Sequence, residues 1–313
     1  MQRCAEIKVL RLGEEDSGLG YLGIVHGNVY MYSTKHNLDT AKKYIMFAEK
    51  YNVRILILPY MQPHGPIIWD VPLKEKRRVK SAALSIFSPY FHQLSIVTRN
   101  RGIDLVIPGF IEKAGPRLFI AGITIPALPG RDYIRVRKKV VSLKEQQLGI
   151  SPSKKIEVLD VDPFRIGIIY EEEIKYPELL RIITMMNTSF LIYCMSPNNI
   201  IKNYTSMLKT MSYIFGTWII HVGGLVYNVN RLYYKIPTLI SNSDGDIILH
   251  YSGLEPALIL VPPRMITGNP PVEGEIELIV HQYMRYVVHR LQSKKKKRED
   301  HGRDRKSRSN KNE

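Results

Sequence analysis

Three consecutive carboxylates, Glu171, Glu172 and Glu173, stand where the sequence predicts a turn between a strand and a helix. The preceding 166–170 segment is apolar and predicts a buried strand. Pro177 predicts the start of the helix, because a proline there has no N–H to leave unpaired. Free N–H groups and the positive end of the helix dipole stabilise carboxylates at such a corner and also suit a catalytic residue. The segment therefore indicates either an acidic first turn or a catalytic corner.

Other nucleophilic or metal-binding side chains are few. Cys4 and Cys194 are the two cysteines, so we expect neither a disulfide framework nor a thiolate zinc site. Cys194 ends a predicted strand and is the candidate thiol, with a small buried residue as its alternative role. His281 and His289 are eight residues apart on a predicted helix, too far to share a metal ion. Crowded carboxylates are oxygen ligands, so a divalent cation at the acidic turn is a further alternative.

The elements that must position these residues alternate between strands and helices, which is typical of an α/β fold. Strands are predicted at 7–10, 22–26, 54–59, 103–109, 118–125, 166–170, 190–195, 218–222 and 257–261. An Asp-Gly hairpin is predicted at 239–250 and an extended basic segment at 133–143. Helices are predicted at 37–51 with Asn37 as the cap, within 67–80, and at 88–102, 176–187, 204–215 and 275–291. The basic cluster at 74–80 predicts either a solvated helix face or a phosphate-binding patch.

Composition and charge narrow the function class. The chain has 313 residues, is 44% hydrophobic and 24% charged, and has the length for a sizeable core. It lacks both a signal-peptide pattern and a run of ~18 apolar residues, so we expect a cytoplasmic protein without membrane contact. The net charge of +16 includes +6 from residues 293–313, where ten Lys and Arg face four Asp and Glu. A basic protein attracts polyanions in a salt-sensitive way.

The basic C-terminal segment 293–313 has almost no apolar side chain and is predicted to be disordered. It serves either as a solubilising end or as a contact for nucleic acid through counterion release. No aromatic residue interleaves the basic ones, so such a contact would be made to phosphate without sequence preference. The residues that would make it are Lys294, Lys295, Lys296, Lys297 and Arg298.

Three segments, in their order, resemble motifs of the nitrilase or carbon-nitrogen hydrolase superfamily. Asn37-Leu-Asp-Thr-Ala-Lys-Lys followed by Leu-Ile-Leu-Pro is similar to the opening unit of the family. The segment from Arg165 to Arg181 resembles its nucleophile motif G-x-x-x-C-Y-D-x-x-F-P-E-x-x-R, and Ser243-Asp-Gly-Asp-Ile-Ile-Leu resembles its late hairpin. The resemblance implies an α-β-β-α sandwich of the nitrilase type, usually dimeric, that needs no cofactor. We therefore predict a nitrilase-like domain at 1–265, a linker and C-terminal helix at 266–292, and a disordered basic tail at 293–313.

The resemblance also implies a catalytic Glu, Lys and Cys, in which the base activates a thiol and the lysine stabilises the oxyanion. In this chain Tyr60 takes the place of the glutamate and Glu171 that of the cysteine. The lysine is Lys138, or Lys139 if the register differs by one, and Glu145 matches an additional family glutamate. A phenol is a poor base at neutral pH, and a carboxylate is a far weaker nucleophile than a thiolate.

These replacements predict a nitrilase-like protein that is catalytically inactive or repurposed as a binding or assembly module. In that case we expect Lys138 to form a salt bridge with Glu171 or Glu173 across the former pocket. The alternative is an active amidase or nitrilase with a displaced nucleophile, for which Cys194 is the candidate. A third hypothesis is a mixed oligomer with an active relative. The resemblance otherwise implies a homodimer.

Overall fold

The computed structural model describes residues 6–15, 18–195, 197 and 203–266. They belong to a compact unit, Met1–Asn269, and a second unit comprises Pro270–Glu313. Nearly all of the predicted linker and all of the predicted C-terminal helix and basic tail lie outside the described residues. Those parts of the domain division therefore remain predictions.

The strands of the described ranges form two sheets. In chain order they are β1 (Lys8–Arg11), β2 (Tyr21–Tyr30), β3 (Val53–Ile57), β4 (Asp104–Ala114), β5 (Arg117–Ile125), β6 (Arg135–Arg137), β7 (Leu159–Val161), β8 (Phe164–Tyr170), β9 (Phe190–Cys194), β10 (Trp218–His221), β11 (Gly224–Asn228), β12 (Arg231–Ile236), β13 (Thr238–Ser241), β14 (Ile247–Tyr251) and β15 (Ala257–Val261).

Within the described ranges, α-helices lie in five of the connections between these strands, those after β2, β3, β6, β8 and β9. They are α1 (Thr34–Glu49), α2 (Ile67–Asp70), α3 (Arg77–Ala82), α4 (Pro89–Arg99), α5 (Leu143–Gln147), α6 (Pro177–Met185) and α7 (Tyr204–Phe215), with 3-10 turns at Leu73–Glu75, Glu171–Lys175 and Pro263–Met265. None of the helices in the described ranges combines the length and the apolar character needed to cross a membrane.

The first sheet has nine strands in the order β1-β15-β2-β3-β4-β5-β6, with β11 also paired to β2 and β12 paired to β11. β2, β3 and β4 are parallel neighbours, whereas β5 runs antiparallel to β4. The predicted β-α-β unit is confirmed as β2, α1 and β3, and the predicted pairing of the 103–109 and 118–125 strands is confirmed as β4 with β5.

The second sheet has the order β14-β13-β10-β9-β8-β7. Its central strands β8, β9 and β10 are parallel, so their carboxyl ends meet at one edge. β13 and β14 form the predicted hairpin. Gly245 takes a φ of +82° in its turn, a conformation that glycine adopts without strain.

The two sheets pack face to face, with helices outside them. Side chains alternate between the faces of β2, so that Leu22 and Ile24 enter the core between the sheets, whereas Tyr21 and Val25 pack in a second core with α1 and α4. β4 contacts β9, and α6 and α7 contact β8, β10 and β13 of the second sheet. This arrangement confirms the predicted α-β-β-α sandwich.

Helix α1 begins earlier than predicted. Asn37 is not its cap but lies inside it, fully buried, and Ser33 precedes the first turn. The Asn37 side chain accepts a hydrogen bond from the Tyr30 amide and donates one to the Tyr30 carbonyl, both at 2.7 Å. These tertiary contacts outweigh the low helix propensity of asparagine and fasten α1 to the end of β2.

Candidate active site

The acidic turn lies at the carboxyl end of β8, as predicted, but its three glutamates form a 3-10 turn that precedes α6. Glu171 and Glu173 are buried, whereas Glu172 is half-buried and pairs with Lys175 at 2.5 Å. The structure has the predicted order of a strand, a turn that carries the three carboxylates and a helix that begins at Pro177. The backbone of Glu171 has a φ of +44°, in the left-handed region that a side chain disfavours, so the turn is strained at this residue.

Glu171, Lys138, Glu145 and Tyr60 form one buried polar cluster. The Lys138 Nζ lies 2.7 Å from Glu145 Oε1 and 2.7 Å from Glu171 Oε2. The Tyr60 hydroxyl donates a hydrogen bond to the other oxygen, Glu171 Oε1, at 3.3 Å. Their exposed fractions are 3% for Glu171, 0% for Lys138, 1% for Glu145 and 7% for Tyr60. The sequence-predicted positions therefore meet, and their polar atoms bind one another. We call these four residues the buried cluster.

Local structure fixes each partner of Glu171. The Lys138 amide continues the ladder beyond β6 by donating to the Ile120 carbonyl at 2.8 Å. Glu145 is held by the capping box of α5, in which its Oε2 accepts from the Ser142 amide at 2.6 Å. Both oxygens of Glu145 are thus engaged. The Tyr60 ring packs on Gly109, where a Cβ would lie 2.1 Å from a ring carbon, so only glycine fits.

Burial governs the electrostatics of the cluster. It raises the pKa of Glu171 to about 7, with Lys138 acting in the opposite direction and Glu145 adding to the increase. Burial lowers the pKa of Lys138, but the Glu171 and Glu145 carboxylates outweigh it and hold the ammonium pKa above its ordinary value. A carboxyl with a pKa of about 7 is suited to proton exchange at neutral pH. Both of its oxygens, however, already have protein partners.

Glu173 has a different function from its neighbour. Its Oε2 accepts from the Tyr170 amide at 3.0 Å, and its Oε1 accepts from the amides of Lys139 and, at 3.0 Å, Val140. The side chain therefore braces the end of β8 against the segment that carries Lys138. Of the two salt bridges predicted for Lys138, the structure forms the one with Glu171.

Lys139 does not take part in the buried cluster. Burial lowers the pKa of its ammonium, and the Nζ has no hydrogen-bond partner among the described residues. Lys138 is thus the lysine that this fold brings to Glu171.

Cys194 ends β9 directly beside Tyr170 of β8, but it is fully buried. Its thiol donates to the Pro108 carbonyl at 3.6 Å. Burial, followed by the charges of Glu171 and Glu173, raises the pKa of the thiol well above its ordinary value. A thiol held in this form is a poor nucleophile, because the thiolate is the reactive species.

Two contacts at the corner had no signal in the sequence. The Tyr193 hydroxyl donates to the backbone carbonyl of Glu171 at 3.4 Å, and Trp69 packs its ring 5.8 Å from that of Tyr60. Both depend on elements that are distant in the chain. Within the described ranges, no group of three or more His, Cys, Asp and Glu side chains is placed to hold a metal ion.

Comparison with known proteins agrees with this architecture. A model of the carbon-nitrogen hydrolase family matches residues 22–218. An amidase of the nitrilase superfamily from Nesterenkonia AN1 is similar in structure, with a TM-score of 0.61 at 16% identity over 85% of this chain and 100% of that chain. Nit3 of Saccharomyces cerevisiae, from branch 10 of the nitrilase superfamily, gives a TM-score of 0.63 at 15% identity over 79% and 91% of the two chains.

A third structure, a mutant of the Nesterenkonia amidase, has a TM-score of 0.63 at 16% identity over 86% of this chain and 100% of that chain. In it the acetamide moiety of fluoroacetamide is covalently added to the active-site cysteine. A search of curated proteins found no match. The structural likenesses concern the fold, and the family match spans more than half of the sequence. The chain therefore belongs to the carbon-nitrogen hydrolase family.

Proposed function

We propose that this protein has lost the hydrolytic reaction of its family and serves as a binding or assembly module. The observation that carries the proposal is the 2.7 Å contact between Lys138 and Glu171, the residue at the motif position of the nucleophile. A carboxylate there cannot form the thioester or thioimidate of the family reaction.

The geometry of the buried cluster supports the proposal in a second way. An oxyanion-stabilising lysine must direct a proton towards the oxygen on which charge develops. The Lys138 Nζ is bound by two carboxylates. The family resemblance assigns Tyr60 to the position of the base. A substrate carbonyl would have to displace one of these partners and leave a charge uncompensated in a buried site.

The alternative is an active hydrolase with a displaced nucleophile, and a mixed oligomer with an active relative is a further one. A displaced nucleophile needs a base within hydrogen-bond reach. Cys194, the candidate, donates to a backbone carbonyl, and its thiol pKa is raised. These two facts favour the loss of function over the displacement.

Covalent trapping distinguishes the two readings. We expect fluoroacetamide to leave the intact mass of the full chain unchanged under conditions that label the Nesterenkonia amidase mutant, because Cys194, the one thiol among the described residues, is buried and its pKa is raised. Intact mass spectrometry with peptide mapping makes the measurement, and Cys194→Ala is the matched control. A stoichiometric adduct on Cys194 or Glu171 would show that the residue is a working nucleophile and would contradict the proposed loss of hydrolysis.

The proposal includes assembly into a homodimer, which the family resemblance implies. Tyr213 and Ile214, 71% and 51% exposed near the end of α7, are apolar surface that an interface would cover. Nucleic-acid contact through the basic tail at 294–298 and a cytoplasmic location remain predictions.

A further inference from the structure

An aromatic and basic surface forms where the end of β2, the α2–α3 segment and the β11–β12 hairpin meet. Asp70 joins the three parts, because its Oδ2 accepts from the Tyr32 hydroxyl at 2.6 Å and its Oδ1 from the Tyr233 hydroxyl at 3.4 Å. Residues 30–36, 69–80 and 227–235 make up this region, which we call the Asp70 surface. It includes the basic cluster at 74–80, for which the sequence left a solvated face and a phosphate-binding patch as alternatives.

Aromatic rings on the Asp70 surface are stacked and partly open to solvent. The Tyr30 ring stacks on His36 with centroids 3.8 Å apart and on Tyr227 at 5.4 Å. Tyr233 is 45% exposed and packs 4.4 Å from Tyr234. Flat rings of this kind accept a further planar group by stacking. They also supply apolar contact without demanding a particular hydrogen-bond pattern.

The charge of the same region is strongly positive. Its three segments carry eight Lys and Arg against two Asp and Glu, a net of +6. The two acidic side chains have local partners, since Asp70 binds two tyrosines and Glu75 pairs with Arg78 at 2.8 Å. All eight basic residues are exposed: Lys35, Lys74, Lys76, Arg77, Arg78, Lys80, Arg231 and Lys235.

We propose that the Asp70 surface binds single-stranded nucleic acid, with bases stacked on its aromatic rings and phosphates along its basic side chains. Arg78 already lies over the Tyr32 ring at 4.5 Å, the arrangement in which a guanidinium accompanies a stacked base. Exposed rings interleaved with cations are what single-strand binding requires, whereas an acidic peptide would need the cations alone. The inference specifies the binding role proposed above but does not depend on the loss of hydrolysis, so a positive trapping result would leave it standing.

Fluorescence anisotropy with a labelled single-stranded oligonucleotide of about 15 nucleotides tests the proposal on the full chain. Tyr233→Ala is expected to weaken binding by about 5- to 100-fold, the effect of losing one stacked base. Tyr233→Phe keeps the ring and loses only the long 3.4 Å hydrogen bond to Asp70, so it should bind nearly as tightly as the wild type. Neutralising Lys76, Arg77 and Lys80 to glutamine is expected to reduce the salt slope by about 2.

Two controls make the result specific. Lys154→Gln with Lys155→Gln removes exposed charge elsewhere on the chain, and glutamine at 294–298 removes the tail contribution. Circular dichroism and the thermal midpoint check that each variant folds. The proposal fails if the full chain does not bind, if Tyr233→Ala binds like Tyr233→Phe, or if only the tail variant loses binding. Equal losses from the Lys154 and Lys155 control would also overturn it. Tighter, Tyr233-independent binding of polyglutamate would assign the surface to acidic peptides instead.

Discussion

Replacing Lys138 with methionine is expected to lower the free energy of unfolding by about 3–5 kcal/mol, the cost of breaking a buried ion cluster by removing one partner. Lys138 is fully buried, and its Nζ is the cation that both Glu145 and Glu171 contact. Without it, two carboxylates remain in a site with little water, and one of them must take up a proton for the fold to persist. Urea unfolding at pH 8, where that proton is scarce, measures the loss.

Lys139 offers a matched control one residue away. Lys139→Met removes an ammonium whose pKa burial lowers and whose Nζ has no hydrogen-bond partner among the described residues, so we expect a much smaller change. Adding Glu171→Gln and Glu145→Gln to Lys138→Met removes the uncompensated charges and should restore most of the stability, because a well-packed neutral site often equals an ion pair. Equal losses for the two lysine variants would refute the assignment of Lys138 as the centre of the buried cluster.

Acid is expected to destabilise the fold between pH 6.5 and about 3. Burial lowers the pKa of His26 and His64 to about 4 and that of His221 to about 3, from an ordinary value of 6.5. Below pH 6.5 these histidines therefore bind protons in the unfolded chain but remain neutral in the folded chain. The stability that these histidines contribute is complete above pH 6.5 and falls as the pH drops towards their folded pKa values. At pH 4, each histidine has lowered the free energy of unfolding by on the order of 3 kcal/mol relative to its value above pH 6.5.

Glu171 has the opposite pH dependence, because its pKa is raised to about 7. Its contribution to stability is present below pH 4.5 and is lost as the pH rises through 7.

Single histidine variants separate these contributions. Neither ring nitrogen of His221 has a hydrogen-bond partner in the described part of the chain, so His221→Leu loses no such bond. In this variant the free energy of unfolding should fall less steeply with acid, because unfolding takes up about one proton fewer. His64 is held between the Gly65 carbonyl and the Ile111 amide, at 2.7 and 2.8 Å, so its replacement also costs hydrogen bonds. The exposed His92→Leu variant is the control and should leave the limb unchanged. An identical acid limb in His221→Leu would contradict the account.

The sequence predicted those parts of the molecule that follow from local patterns. The apolar run before Glu171 and the proline after it placed the corner. Motif order offered Lys138, or Lys139 in the other register, as the lysine, with Glu171 or Glu173 as its partner. Asn37 was assigned a capping role because its type favours caps, but the Tyr30 backbone, seven residues away, determines its use. The β11–β12 hairpin was missed, since Arg231, Leu232 and Tyr233 of β12 are all exposed and give no alternating pattern.

The contacts that fill the candidate site could not be predicted from local sequence patterns. Glu171 and Glu173 are two residues apart but have different partners. This difference depends on the strained backbone at Glu171 and on the amides of the Lys138 segment that bind Glu173. The fit of the Tyr60 ring against Gly109 depends on how β3 and β4 pack. Such contacts join residues that are far apart in the chain, and no spacing rule encodes them.

Ammonia release from a panel of amides and nitriles tests whether this chain has lost the hydrolytic reaction of its family. Purified full chain would be measured beside Cys194→Ala and Glu171→Ala at pH values on both sides of 7, where Glu171 changes its protonation. We expect no release above the background without protein at any pH. Release that Cys194→Ala or Glu171→Ala abolishes would contradict it and would identify the residue to which the chemistry has moved.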